Sequence, residues 1–120
     1  MKLLKTLKGL KLGQKVAWHF SDKYVTTEND MWACISQVKG FHKKTKYLTQ
    51  DNGVAYETTE KIVFDILAIN HNEMVNFLLT KNSKMEIYSD YIYDEVFKIW
   101  LIETEQEYLD ILKEIMVDNL

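Results

Sequence analysis

The chain has 120 residues, with 15 basic and 18 acidic side chains and a formal net charge of −3. That length suits one domain, taken here as residues 1–120, and an apolar share of 47% excludes disorder by composition. All the basic residues are lysine, so the bidentate arginine fork that dominates specific base and phosphate recognition is missing. Proline is absent too, and the abundance of Lys, Asn, Ile and Tyr matches the coding bias of an AT-rich genome, such as a low-GC bacterium or its phage.

Charge is divided unevenly along the chain. Residues 1–50 carry ten Lys against Asp22, Glu28 and Asp30, a surplus of seven positive charges. Residues 51–120 carry five Lys against fifteen acids, a surplus of ten negative charges. The single cysteine, Cys34, has no partner for an internal disulfide, which points to the reducing cytoplasm of a bacterial or phage-infected cell. Lys2, Lys5, Lys8 and Lys11 break up the N-terminal leucines, so a signal peptide is not expected there. The apolar runs at Ile62–Ile69 and Val96–Ile102 are too short to span a bilayer, so no membrane partner is expected.

In chain order, Leu3, Leu4, Leu7 and Leu10 share one helical face, which predicts a short N-terminal helix that Gly9 weakens. Gln14–Phe20 reads as a strand, and a short extended piece falls near Tyr24–Thr27. Met31–Phe41 is apolar on both faces, as in a central strand. Lys46–Gln50 and Val54–Thr58 flank Asp51-Asn52-Gly53, a strong hairpin signal because a type I′ turn needs positive φ at two positions. Ile62–Ile69 reads as a buried strand. Asn70 and Glu73 form a capping pattern opening a helix at about 71–81 that buries Met74, Phe77 and Leu78. Met85–Tyr93 and Glu95–Ile102 read as a second hairpin. Thr104 and Glu107 make a capping box for a helix at about 104–118, with Tyr108, Ile111, Leu112, Ile115 and Met116 facing inward. A faint repeat at an offset of 33 links Val63-Phe64-x-Ile66-x-x-Ile69 to Val96-Phe97-x-Ile99-x-x-Ile102. The expected fold class is therefore α+β: a mostly antiparallel sheet with two helices on one face, plus the short N-terminal helix.

Three patches carry a family resemblance. Gly13-x-Lys15-Val16, then Trp32-Ala33-x-Ile35, then Tyr47 leading to Asp51-Asn52-Gly53 make residues 12–62 resemble a Tudor or SH3-like small barrel. The resemblance implies a barrel in the N-terminal half that binds a methylated or proline-rich peptide, or nucleic acid. A Tudor site cages a methylammonium with aromatics. Phe20 and Trp32 would stand at cage positions, whereas Thr49 and Asp51 fall where another aromatic is wanted.

No catalytic and no metal-binding residues are expected from the sequence. His19, His42 and His71 are far apart in sequence, and no Cys/His pair has ligand spacing. Cys34 lies in an apolar strand, where burial makes a thiol inert. No glycine-rich loop cradles phosphate, so neither an enzyme nor a cofactor is expected.

Binding surfaces fare better. At 100° per residue, Glu103, Glu107, Asp110, Glu114 and Asp118 form one acidic sector of the last helix, suited to a basic partner or to imitating phosphates. Tyr88, Asp90, Tyr91, Tyr93 and Asp94 mix tyrosines with acids in the expected second hairpin, and tyrosine is a frequent interface anchor. Phe20, Trp32, Lys43, Lys44 and Lys46 form an alternative aromatic and basic end. The leading expectation is a small inhibitory or immunity-type protein of phage or bacterial origin. It would block a macromolecular partner, such as a nucleic-acid-handling defence enzyme or a toxin. A nucleic-acid or peptide-binding module using the lysine-rich half is the alternative, with nucleic-acid affinity expected to be weak because the acids repel the backbone. A small enzyme or nucleotide-binding protein of unrecognised type stays open as a third reading.

Overall fold

A computed structural model describes residues 1–20, 31–50, 53–71, 84–90 and 97–118. Among these residues the chain forms six strands and one helix: β1 (Lys2–Leu4), β2 (Lys15–Phe20), β3 (Met31–Gln50), β4 (Gly53–Ile69), β5 (Lys84–Tyr88), β6 (Phe97–Ile102) and α1 (Glu105–Asp118). The strands make one open sheet in the order β1-β6-β2-β3-β4-β5, with every pairing antiparallel.

Period-2 alternation divides the buried residues between the two faces of this sheet. On one face, Val16, Trp18, Cys34, Val38, Ile62, Phe64, Met85 and Ile99 form a core with Leu7 and Leu10. Those leucines come from a strap, residues 5–14, which crosses that face, and the Thr6 hydroxyl donates to the Ser89 carbonyl just beyond β5 at 3.0 Å. Within this core the Trp18 indole N–H donates to the buried Ser36 hydroxyl at 2.9 Å, and Trp18 meets Phe64 edge to face at 6.0 Å. On the other face, Ile111 and Ile115 of α1 pack on Ala17 and Ile35, with Trp32, Ala68, Ile102, Tyr108 and Leu112 around them.

The capping box forms as the spacing predicts. Glu107 N–H donates to the Thr104 hydroxyl at 3.2 Å, and Thr104 N–H donates to the Glu107 carboxylate at 3.0 Å. Other expectations need correction. The N-terminal leucines form no helix: Lys2–Leu4 is an edge strand on β6, and the later leucines are buried by the strap. Helical spacing is satisfied here by a chain that turns, because Gly9 sits at φ 91° and Gly13 at φ 86°. Met85–Tyr93 and Glu95–Ile102 do not pair as a hairpin. β5 lies at one edge beside β4, while β6 sits between β1 and β2 near the other edge. The two copies of the faint repeat therefore belong to non-adjacent strands. Instead of closing into a small barrel, residues 12–62 contribute β2, β3 and part of β4 to the open sheet. The expected helix at 71–81 and the extended piece at Tyr24–Thr27 fall outside the described residues, apart from His71.

The largest departure is the length of the central hairpin. Met31–Phe41 and Lys46–Gln50 are one 20-residue strand, and Val54–Thr58 and Ile62–Ile69 are one 17-residue strand. The two pair as far as Gln50 opposite Gly53, with irregularities after Ile35 and after Val38. The connection is short, as the hairpin signal predicts, but Gly53 of the expected Asn-Gly turn falls inside β4. β2 accompanies β3 only through Gln37, and β5 accompanies β4 only from Lys61 to Asp65. Beyond these limits the hairpin continues as a two-stranded arm, in a molecule 59 Å long but only 33 by 27 Å across.

Candidate functional site

α1 positions most of the acidic sector. Asp110 and Glu114 are exposed on its flank, and Asp110 accepts from the Gln106 amide at 2.8 Å. Glu103 is exposed just before the helix, 3.5 Å from the Met1 ammonium. Asp118 is the last helical residue. Glu107 is different. It ion-pairs with the Met1 ammonium and accepts from the Glu103 and Thr104 backbone N–H groups. The Met1 ammonium beside it, assisted by those N–H groups and the Thr104 hydroxyl, holds its carboxyl below the usual carboxylate range. Glu107 thus serves the helix cap and Glu103 shares its ammonium, leaving Asp110 and Glu114 as the acidic side chains on this face without an ion-pair partner among the described residues.

The helix also exposes what the sequence pattern assigned inward. Met116 is 62% exposed, and with Leu109 and Val117 it forms an apolar ridge beside the acids. Leu109, Leu112, Lys113, Met116 and Val117 line a shallow depression of about 420 Å³. The reason is angular: Met116 stands five residues after Ile111, about 140° round the helix, too far to reach a sheet centred on Ile111 and Ile115. A helical projection centred on those two isoleucines would have found this ridge.

The tyrosine–acid segment is described in part. Tyr88 closes β5, half exposed, with the Lys61 ammonium 4.8 Å from its ring centre, and Asp90 is exposed. Tyr91, Tyr93 and Asp94 lie outside the described residues.

The alternative aromatic and basic end does not assemble. Trp32 stands at the start of β3, half-buried and edge to face with His19 at 5.0 Å. Phe20 ends the neighbouring β2. Lys43, Lys44 and Lys46 lie on the arm, eleven or more residues along the same strand, roughly 36 Å away at about 3.3 Å per residue. Lys43 pairs with Glu60 at 3.5 Å. A cage or groove combining Trp32 with these lysines would need a strand that folds back, and β3 does not. Thr49, which the barrel resemblance placed near the cage, is at the arm's far end opposite Val54.

Cys34 is buried between the layers, and burial pushes its thiol up to about 12. At neutral pH the thiol therefore keeps its proton. Among the described residues no group of three or more His, Cys, Asp or Glu side chains could hold a metal ion. Among them, too, no helix is long and apolar enough to cross a membrane. Compared with protein-family models, curated proteins and solved structures, the chain matches none.

Proposed function

We propose that this chain is a non-enzymatic binding protein that blocks a protein partner by seating α1 in an apolar groove with a basic rim. The observation that carries this reading is the pairing of the Leu109, Met116 and Val117 ridge with Asp110 and Glu114 on one accessible helix surface. An amphipathic helix whose second apolar stripe faces solvent is suited to helix-in-groove recognition, with the ridge as anchor and the acids as the steering rim. The partner class is a nucleic-acid-handling enzyme or a toxin, whose anion-binding groove an acidic helix can fill in place of phosphates.

The test starts from a partner captured by the immobilised wild-type protein from a bacterial host lysate. Its binding kinetics are then measured against two variants. Asp110→Lys with Glu114→Lys is expected to slow association and reduce its dependence on salt, because rim charges act on the encounter. Met116→Lys is expected to speed dissociation, because it removes an anchor. All three positions are exposed, so the thermal melts should hardly move. Equal kinetics for the wild type and both variants would remove α1 as the binding surface.

A further inference from the structure

The arm has two chemically distinct faces. After the irregularity between Val38 and Gly40, the register puts Phe41, Lys43, Thr45, Tyr47 and Thr49 on the strap side, opposite Ile62, Glu60, Thr58, Tyr56 and Val54. Three contacts mark that side: Lys43–Glu60 at 3.5 Å, Thr45–Thr58 at 3.2 Å and Tyr47–Tyr56 with ring centres 4.9 Å apart. The helix side of the arm carries His42, Lys44 and Lys46 from β3, with Glu57 opposite Lys46 as its one acid among the described residues. At its base stand Lys61, whose ammonium lies 4.8 Å from the Tyr88 ring centre, and Glu86 of β5. Among the described residues the side chains of Lys44 and Lys46 have no ion-pair partner.

We propose that this basic face of the arm is a contact surface for the phosphate backbone of a nucleic-acid strand. Three features favour that occupant. First, the lysines are displayed in a row on an extended two-stranded ribbon, and counterion release from a polyanion rewards such a row whatever the base sequence. Second, a two-stranded β-ribbon is narrow enough for the duplex major groove, which is about 12 Å wide. Third, the acidic helix does not cancel the arm's field. α1 packs over Ile35 and Ala68, and Lys44 lies nine residues further along the strand, roughly 30 Å at about 3.3 Å per residue. The Debye length at physiological salt is about 8 Å, so the helix acids are screened from the arm by several such lengths. The helix's share of the repulsion expected from the chain's summed charge is thereby kept off the arm, whose own described acids are Glu57 and Glu60. This surface shares no residue with the one proposed on α1, so each stands or falls separately.

The experiment is a salt series of fluorescence anisotropy titrations of the full chain. The probes are a labelled 20-nucleotide single strand and the same sequence as duplex, with polyglutamate as competitor. Wild type is compared with Lys44→Gln, Lys46→Gln and with Asp110→Lys, Glu114→Lys, each checked by circular dichroism for an unchanged fold. Loss of two phosphate contacts should flatten the slope of log affinity against log salt by about 1.8 on duplex, or by about 1.4 if the single strand is the ligand. The helix variant should change affinity by less than about twofold at physiological salt. The proposal is overturned by no binding of either probe up to about 100 μM at low salt, a range that covers ordinary non-specific affinities. It is equally overturned by identical slopes for wild type and the lysine variant. Competition by polyglutamate as effective as by the oligonucleotide at equal charge would assign the arm to an acidic protein instead.

Discussion

The root and the arm of the long hairpin are made from the same two strands, yet they are held together by different forces. At the root, Cys34, Val38, Ile62 and Phe64 are all but fully buried under the strap, and Ile35 is buried under the helix. There the sheet has neighbours on both sides and a layer on both faces, so removal of apolar surface from water dominates. In the arm the ladder hydrogen bonds are the same, but Tyr47, Tyr56 and Val54 are each 60% exposed or more. A lone two-stranded ribbon is marginal in water. Cross-strand pairs stabilise it instead: the tyrosines, the threonines, and Lys43 with Glu60. Strand length and strand stability are therefore separate properties. Register carries the hairpin outward, whereas packing decides which part of it is firm.

The root should respond most strongly to substitution. Phe64→Ala removes a fully buried ring from the centre of the strap-side core and should cost about 3–5 kcal/mol. Urea unfolding reads this as a lower midpoint at unchanged slope, and a midpoint near wild type would show that the root is not the packed part.

Cys34 reports on the same packing through pH. Its thiol is raised from 9.0 to about 12 by burial, so the folded state holds its proton where the unfolded chain releases it. Its contribution is fully present below pH 9 and is lost as pH rises from there towards 12, at up to about 1.4 kcal/mol per unit. The difference in unfolding free energy between wild type and Cys34→Ala should therefore drift in favour of the variant above pH 9. A difference independent of pH would indicate an accessible thiol. So would stoichiometric labelling of the native protein by a thiol reagent at neutral pH.

Truncating the arm's aromatic pair probes the exposed end of the hairpin. Tyr47→Ala should cost about 0.5–1 kcal/mol or less globally, since the pair is exposed and buries nothing of the core. Hydrogen exchange should show arm amides opening faster in the variant while root amides keep their protection, a local rather than global loss. Slowed or unchanged exchange in the arm would mean that another contact holds it. The smallest effect is expected at Lys43→Ala, within about 0.5 kcal/mol, because an exposed ion pair is screened by water and salt. A larger loss in a thermal melt would show that the pair is part of a tighter network than the distances imply.

Local chemistry in the sequence determined several parts of this protein. The capping box of α1, the inward pair Ile111 and Ile115, the burial of Cys34 and the short connection between β3 and β4 all depend on residues within a few positions of one another, or on strict periodicity. Other features required the tertiary structure. Leu4, Leu7 and Leu10 are apolar every third residue, and both a helix and a strap with positive-φ glycines satisfy that spacing, so the sheet beneath decided between them. The charged run His42–Lys46 conceals a strand, because ladder hydrogen bonds with β4 depend on register rather than on side-chain polarity. Met116 follows helical periodicity but faces solvent, because it lies about 140° round the helix from Ile111, turned away from the sheet that Ile111 and Ile115 face. The surplus of seven positive charges in the first fifty residues is not one pole. β1 carries Lys2 to one sheet edge, whereas Lys44 and Lys46 ride out on the arm, because strand order, not chain order, sets where a charge resides.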